Sequence, residues 1–158
     1  MHQETINGIW RLQLPDGFVR ISDEELAGMS RAGGDAFRWG AQDAEKHAVL
    51  LALWKEYNGL LARMADLKAI VRKNEQQTAR AHAEYGYRLI EFCGMDAGEE
   101  KAEGFRFSYE REGITQVCSN LLIKEGKTVY AFMYIGRTEH AEADRESFTK
   151  IMESLEYC

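Results

Sequence analysis

Lys127-Thr128-Val129-Tyr130-Ala131-Phe132-Met133-Tyr134-Ile135-Gly136 contains no charged side chain between Val129 and Ile135. Tyr130, Phe132 and Tyr134 share one parity, and Val129, Ala131, Met133 and Ile135 share the other. Alternate residues of a strand point to opposite faces, so a strand apolar on both parities is one that is covered on both faces. His47 to Tyr57 has the same character, with Val49, Leu51 and Leu53 on one side and Leu50, Ala52 and Trp54 on the other. Two such strands require a sheet with a layer of structure on each side.

The flanking sequence supplies the rest of that sheet. Glu125-Gly126 and Glu112-Gly113 are two-residue turns that place Ile114 to Lys124 and the Phe105-Phe107-Tyr109 strand as antiparallel neighbours. Tyr87 to Met95 reads as a further strand, followed by a loop over Asp96 to Glu100. Nearer the start, Gly8 to Leu14 alternates around Trp10, Leu12 and Leu14, and Pro15-Asp16-Gly17 has turn chemistry. Phe18 to Ile21 is expected to return on that strand as a hairpin. Ala36 to Ala41 alternates around Phe37 and Trp39, and the polar turn Gln42 to Lys46 leads into the His47 strand.

Three helices complete the order. Ser22 with Glu25 forms a capping box, and that helix is expected to end near Arg31, before Gly33-Gly34. Asn58 is expected to cap a long helix with Leu60, Met64, Leu67 and Val71 at helical spacing. It continues through the polar Arg72 to Arg80 segment, as one helix or as a helix–loop–helix, and closes near Gly86. Thr138 is expected to cap a final helix with Phe148, Ile151, Met152 and Leu155 as its apolar stripe. The fold class is α+β: one domain, residues 1–158, with an antiparallel sheet sandwiched by helices.

The chain has 158 residues, with Lys+Arg 20 against Asp+Glu 26 and a net charge of −6. At 45% hydrophobic residues it carries a real core and is not disordered. The negative balance argues against nucleic acid and anionic membrane as partners, since both need cationic surface. Met1 to Gly8 has no basic start and no apolar stretch, so it does not read as a secretory signal. The longest apolar run, Ala48 to Trp54, is far below the roughly 20 residues of a membrane span. Cys93, Cys118 and Cys158 form an odd, unpatterned set that suits a reducing compartment. The expected location is the cytoplasm.

No phosphate-binding glycine loop, zinc-protease helix, nucleophile elbow or calcium loop occurs. His140 and Asp144 stand four apart on the final helix, but a metal needs about three converging ligands. No catalytic residue, metal or cofactor is therefore assigned. Cys93 and Cys118 lie on strands with no cation beside them in sequence to form a thiolate. The binding residues singled out are Tyr130, Phe132 and Tyr134, read either as core or as a concave aromatic face, with Phe105, Phe107 and Tyr109 expected to widen that face. Arg63, Lys68, Arg72, Lys73, Arg80 and Arg88 make one locally basic region in an acidic chain, with Arg72 and Lys73 chosen as its contact to an acidic partner.

The element order resembles the PsbP-like superfamily, which includes the Ran-binding Mog proteins, the photosystem PsbP proteins and bacterial DcrB-type domains. The resemblance rests on Leu14-Pro15-Asp16-Gly17-Phe18, the hairpin around Trp39 to Trp54, Gly104 to Tyr109, Ile123 to Tyr130, and the ending Phe148 to Tyr157. It implies an α/β/α sandwich on an antiparallel sheet and, for most members, binding of other proteins without catalysis. Cytosolic bacterial relatives include chaperones that shield hydrophobic segments of type VI secretion effectors. The expectation is therefore a non-catalytic interaction domain whose partner is another protein or, in a homodimer, a second copy. A chaperone for a hydrophobic effector segment is its narrower form. The competing expectation is a small-molecule-binding protein or small enzyme with an internal aromatic pocket, to which His140, Asp144 or Glu91 would contribute.

Overall fold

The computed structural model describes residues 1–29, 35–58 and 66–158. The first helix ends at Ala27 with Gly28 as its C-cap, earlier than the expected Arg31, and the helix carrying Leu67 and Val71 starts from an Asp66 cap instead of Asn58; Leu60, Arg63 and Met64 lie outside the described residues.

The doubly apolar segments are the centre of the molecule. Strand β5 (Ala48–Glu56) pairs antiparallel with β9 (Thr128–Arg137), Leu50 opposite Tyr134 and Ala52 opposite Phe132. Around them run β3 (Val19–Arg20), β4 (Trp39–Asp43), β6 (Arg88–Ala97), β7 (Glu100–Arg111) and β8 (Ile114–Glu125). The seven strands follow the order β3-β4-β5-β9-β8-β7-β6, every neighbouring pair antiparallel. A second sheet has the order β1-β2-β10, formed by β1 (His2–Ile6), β2 (Trp10–Leu14) and β10 (Glu156–Tyr157).

Both faces of the large sheet are covered, by different materials. One face packs Leu50, Tyr130, Phe132 and Tyr134 against Trp10, Leu12 and Leu14 of the small sheet and Phe148, Ile151 and Met152 of helix α3 (Ala141–Glu153). The other packs Leu51, Leu53, Phe105 and Phe107 against Leu26 of α1 (Asp23–Ala27) and Val71 of α2 (Leu67–Ala81). The architecture is thus the expected α+β sandwich, with a small sheet sharing one outer layer with α3.

Local chemistry sets the helix starts. Ser22 Oγ accepts from Glu25 N at 3.2 Å and donates to the Glu25 carboxylate at 3.2 Å. Asp66 Oδ1 accepts from Lys68 N at 3.1 Å and begins α2. Thr138 does not cap α3. It opens a 3-10 turn, Thr138–His140, and its hydroxyl donates to the Thr115 carbonyl at 3.3 Å, which leaves His140 at the N-cap.

The hairpin expected between Gly8–Leu14 and Phe18–Ile21 does not form. β2 pairs with β1 and β10, while β3 pairs with β4. The Pro15–Phe18 turn closes with Phe18 N donating to the Pro15 carbonyl at 3.0 Å, but it hands the chain from the small sheet to the large one. A side chain at Gly17 would collide with the Asp43 carboxylate, so the crossing needs glycine. Gly98 is tied down similarly. It closes the β6–β7 turn at φ +59°, and a Cβ there would strike the Leu155 carbonyl oxygen. Gly113 has φ +77° with open space around it. Gly113→Ala is therefore expected to cost about 1 kcal/mol of unfolding free energy from backbone strain alone, and Gly98→Ala at least about 2 kcal/mol from strain plus collision. Urea unfolding of the two variants checks the ranking.

Candidate functional site

The structure does not assemble the eight residues picked from the sequence into one surface. Tyr130 and Phe132 are 0% exposed and Tyr134 3%. The Tyr130 ring meets Trp10 edge-on at 5.9 Å and tilts against Trp54 at 5.9 Å, and its hydroxyl accepts from Asn7 Nδ2 at 2.9 Å. Tyr134 packs on Phe148 at 5.4 Å. The stripe is core under α3 and the small sheet.

Phe105, Phe107 and Tyr109 do not widen it, because they lie on the opposite face. Phe105 stands opposite Asn120, and Asn120 opposite Met133, so Phe105 shares the parity of Met133 and not that of Phe132. There Phe105 and Phe107 are buried, with Tyr87 stacked on Phe107 at 5.4 Å and His82 on Tyr109 at 4.5 Å. His82 is thus a half-buried packing residue, its Nδ1 2.9 Å from the Thr78 carbonyl. Arg72 and Lys73, adjacent on α2, border different clefts. Lys73 lines a cleft of about 290 Å³ between α2 and the β5–β9 region, with Tyr57 as its single aromatic. Arg72 lines a groove of about 350 Å³ on the β6 side.

His140 and Asp144 do not form a pair in a pocket. His140 is exposed at the N-cap of α3, whereas Asp144 is buried and accepts from Tyr134 Oη at 3.3 Å. Burial pushes the Asp144 carboxyl above its ordinary 3.8, and its Oδ2 has no hydrogen-bond partner. Burial likewise raises the phenol of Tyr134, with the nearby Asp144 charge adding to the effect.

The residues missed in the sequence lie on β6. It is the outer strand of the large sheet, ten residues long, and among the described residues it pairs on one side only, with β7. Helix α2 packs mainly across β7 and β8 and only borders β6, across a groove. In consequence Leu89 (40%), Ile90 (46%) and Phe92 (49%) are half of the large apolar side chains that are exposed among the described residues. A bulge between Leu89 and Glu91 breaks the register, so a regular ladder runs only from Glu91 to Ala97. The opposite edge, β3, has two residues. A short edge is the ordinary way a sheet avoids unwanted pairing, and β6 lacks that protection.

Two clefts flank β6. On the α2 face, the groove is bordered by Lys68, Val71, Arg72, Phe92 and Glu103. Lys68 and Arg72 stand four apart on one helix face, both exposed and without an ion pair among the described residues. On the α3 face, a cleft of about 250 Å³ has Met95, Leu121 and Phe148 as its apolar wall. The Glu91 carboxylate there serves two guanidiniums, Arg145 at 3.4 Å and Arg106 at 3.8 Å. Arg106 Nε is buried without an acceptor. Cys93 lies between the two clefts, its thiol pKa raised by burial and by Glu91, which keeps it protonated. Among the described residues no three His, Cys, Asp or Glu side chains converge to hold a metal, and no helix is long and apolar enough to cross a membrane.

Sheet order and layering define a PsbP-like α+β fold, and comparison with solved structures agrees. CyanoP, the cyanobacterial PsbP of Synechocystis, is similar at a TM-score of 0.70 and 10% identity, over 99% of this chain and 92% of that one. LpqN of Mycobacterium tuberculosis, involved in cell envelope biogenesis, is similar at a TM-score of 0.61 and 13% identity, over 94% and 82%. A Pseudomonas aeruginosa protein of unknown function is similar at 0.50 and 11% identity, over 98% and 94%. No family model matches the chain, and its sequence matches no curated protein. These likenesses establish the fold alone.

Two outcomes follow from the placement. Phe92→Ser is expected to cost about 1 kcal/mol or less, whereas Phe105→Ala on the neighbouring strand costs about 3–5 kcal/mol, as thermal or urea unfolding measures. A carboxyl whose folded pKa is raised makes the native state bind protons more tightly than the unfolded chain, so its contribution to stability falls as pH rises from 3.8 through the folded pKa. Asp144→Asn removes that loss. It is expected to stabilise the protein at neutral pH and to make progressively less difference below the ordinary carboxylate range.

Proposed function

We propose that this protein is a non-catalytic, cytosolic protein-binding domain that accepts an extended segment of its partner along β6. The observation that carries the reading is an unpaired ten-residue edge with Leu89, Ile90 and Phe92 exposed on it. An added strand satisfies the outward N–H and C=O groups of β6 and covers those side chains, which is the ordinary chemistry of strand addition. The cytosolic setting is supported by three free cysteines among the described residues. The narrower reading, a chaperone for a hydrophobic effector segment, calls for apolar surface wider than one strand. Tyr130, Phe132 and Tyr134, which would have supplied it, are buried, so the strand-accepting form is preferred.

The test is selection of binders from a random peptide display library, followed by amide hydrogen exchange. Selected peptides are expected to slow exchange at outward-facing β6 amides, and Phe92→Asp to weaken binding by about tenfold or more, the loss of a buried aromatic anchor. Peptides that bind without protecting β6, or that ignore the Phe92 substitution, would overturn the reading.

A further inference from the structure

Cations flank β6 on both faces, and those on the α2 face make no ion pair among the described residues. On the α2 face, Lys68 and Arg72 border the groove beside Phe92 against one carboxylate, Glu103. On the α3 face, Arg106 and Arg145 are both engaged by Glu91, and Glu142 and Glu146 stand beside Arg145, so the cations there are already partnered. This concentration of cations stands in a chain of net charge −6. The side chains of an added strand alternate between the two faces, so one set meets Lys68 and Arg72 and the other the apolar wall of the α3 cleft.

We infer that the segment accepted by β6 is an acidic amphipathic strand from another protein, with its carboxylates on the α2 face reaching Lys68 and Arg72 and its apolar side chains on the α3 face against Met95 and Phe148. The inference rests on the strand-accepting reading above and narrows it to a partner chemistry. A second copy fits the edge poorly. Antiparallel self-pairing about a two-fold axis normal to the sheet keeps each face on its own side, so Lys68 and Arg72 of both copies would line one seam as like charges, which is unfavourable across paired strands. The regular ladder from Glu91 to Ala97 is the part of β6 that a seven-residue peptide spans, and a longer partner segment reaches Leu89 and Ile90.

Three acetylated and amidated seven-residue peptides test this. They share Leu, Val and Leu at alternate positions and differ only in carrying Glu, Gln or Lys at the others. The Glu peptide is expected to bind about tenfold or more tightly than the Gln peptide, the Lys peptide more weakly still, and the preference to shrink in high salt. The double variant Lys68→Gln/Arg72→Gln changes two exposed side chains. It is expected to bring the Glu-to-Gln preference down severalfold. Equal binding of the Glu and Gln peptides, with β6 amides protected in both, would overturn the acidic preference and leave strand docking standing. Failure of all three to protect β6 would remove both readings. Light scattering that finds a peptide-free dimer paired through β6 would give the edge to a second copy and overturn the inference.

Discussion

Everything in this molecule follows from keeping water off both faces of two adjacent strands. β5 and β9 carry large apolar side chains front and back, and no single layer can shield both. Burying one such side chain fully is worth about 1.5–3 kcal/mol, so leaving either face wet would forfeit much of a typical domain's stability of about 5–15 kcal/mol. The chain meets the demand with α1 and α2 on one side, and with α3 and the small sheet on the other. Cover is densest over the centre and thins toward the margin, where α2 borders β6 only across a groove and Phe92 is half exposed. The open edge is thus the margin of the same arrangement that protects the middle.

How much of this was legible depends on whether the signal is local. The central strands are, because parity alone reveals a doubly covered strand, and the Ser22–Glu25 box is, because a cap is a four-residue event. β1 carries one inward apolar side chain, Ile6, so its periodicity says almost nothing. The usable signal was Asn7-Gly8, both at positive φ, a pair that suits a tight hairpin. The misassigned Pro15-Asp16-Gly17 turn has the right local chemistry for reversal, but which sheet receives the next strand depends on Asp43 and Gly17 meeting, a contact between residues 26 apart.

The site was less legible for a similar reason. That Phe105 and Phe132 oppose one another follows from counting through the two short turns at Glu112-Gly113 and Gly126-Lys127, so the separation of the two aromatic rows was available in the sequence. The exposure of Leu89, Ile90 and Phe92 was not. Their sequence reads as an ordinary apolar strand, and only the reach of α2 and the lack of a neighbour beyond β6 distinguish it. Whether Arg106 is spent likewise depends on Glu91 and Arg145, which come from a different strand and from α3.

The small sheet joins remote parts of the chain. Tyr157 of β10 sits opposite Trp10 of β2, their rings meet edge-on at 5.4 Å, and Cys158 N donates to the Ile9 carbonyl at 2.7 Å. A ribosome delivers Trp10 well before Tyr157, because the two are remote in the sequence. Until α3 and β10 have emerged, Trp10, Leu12 and Leu14 have nothing to complete the layer they share, and Tyr130 and Phe132 lack part of their roof. The nascent polypeptide therefore carries greasy surface from the emergence of Trp10 until that of β10, and the pairing of β10 with β2 acts as the clasp that seals the small sheet.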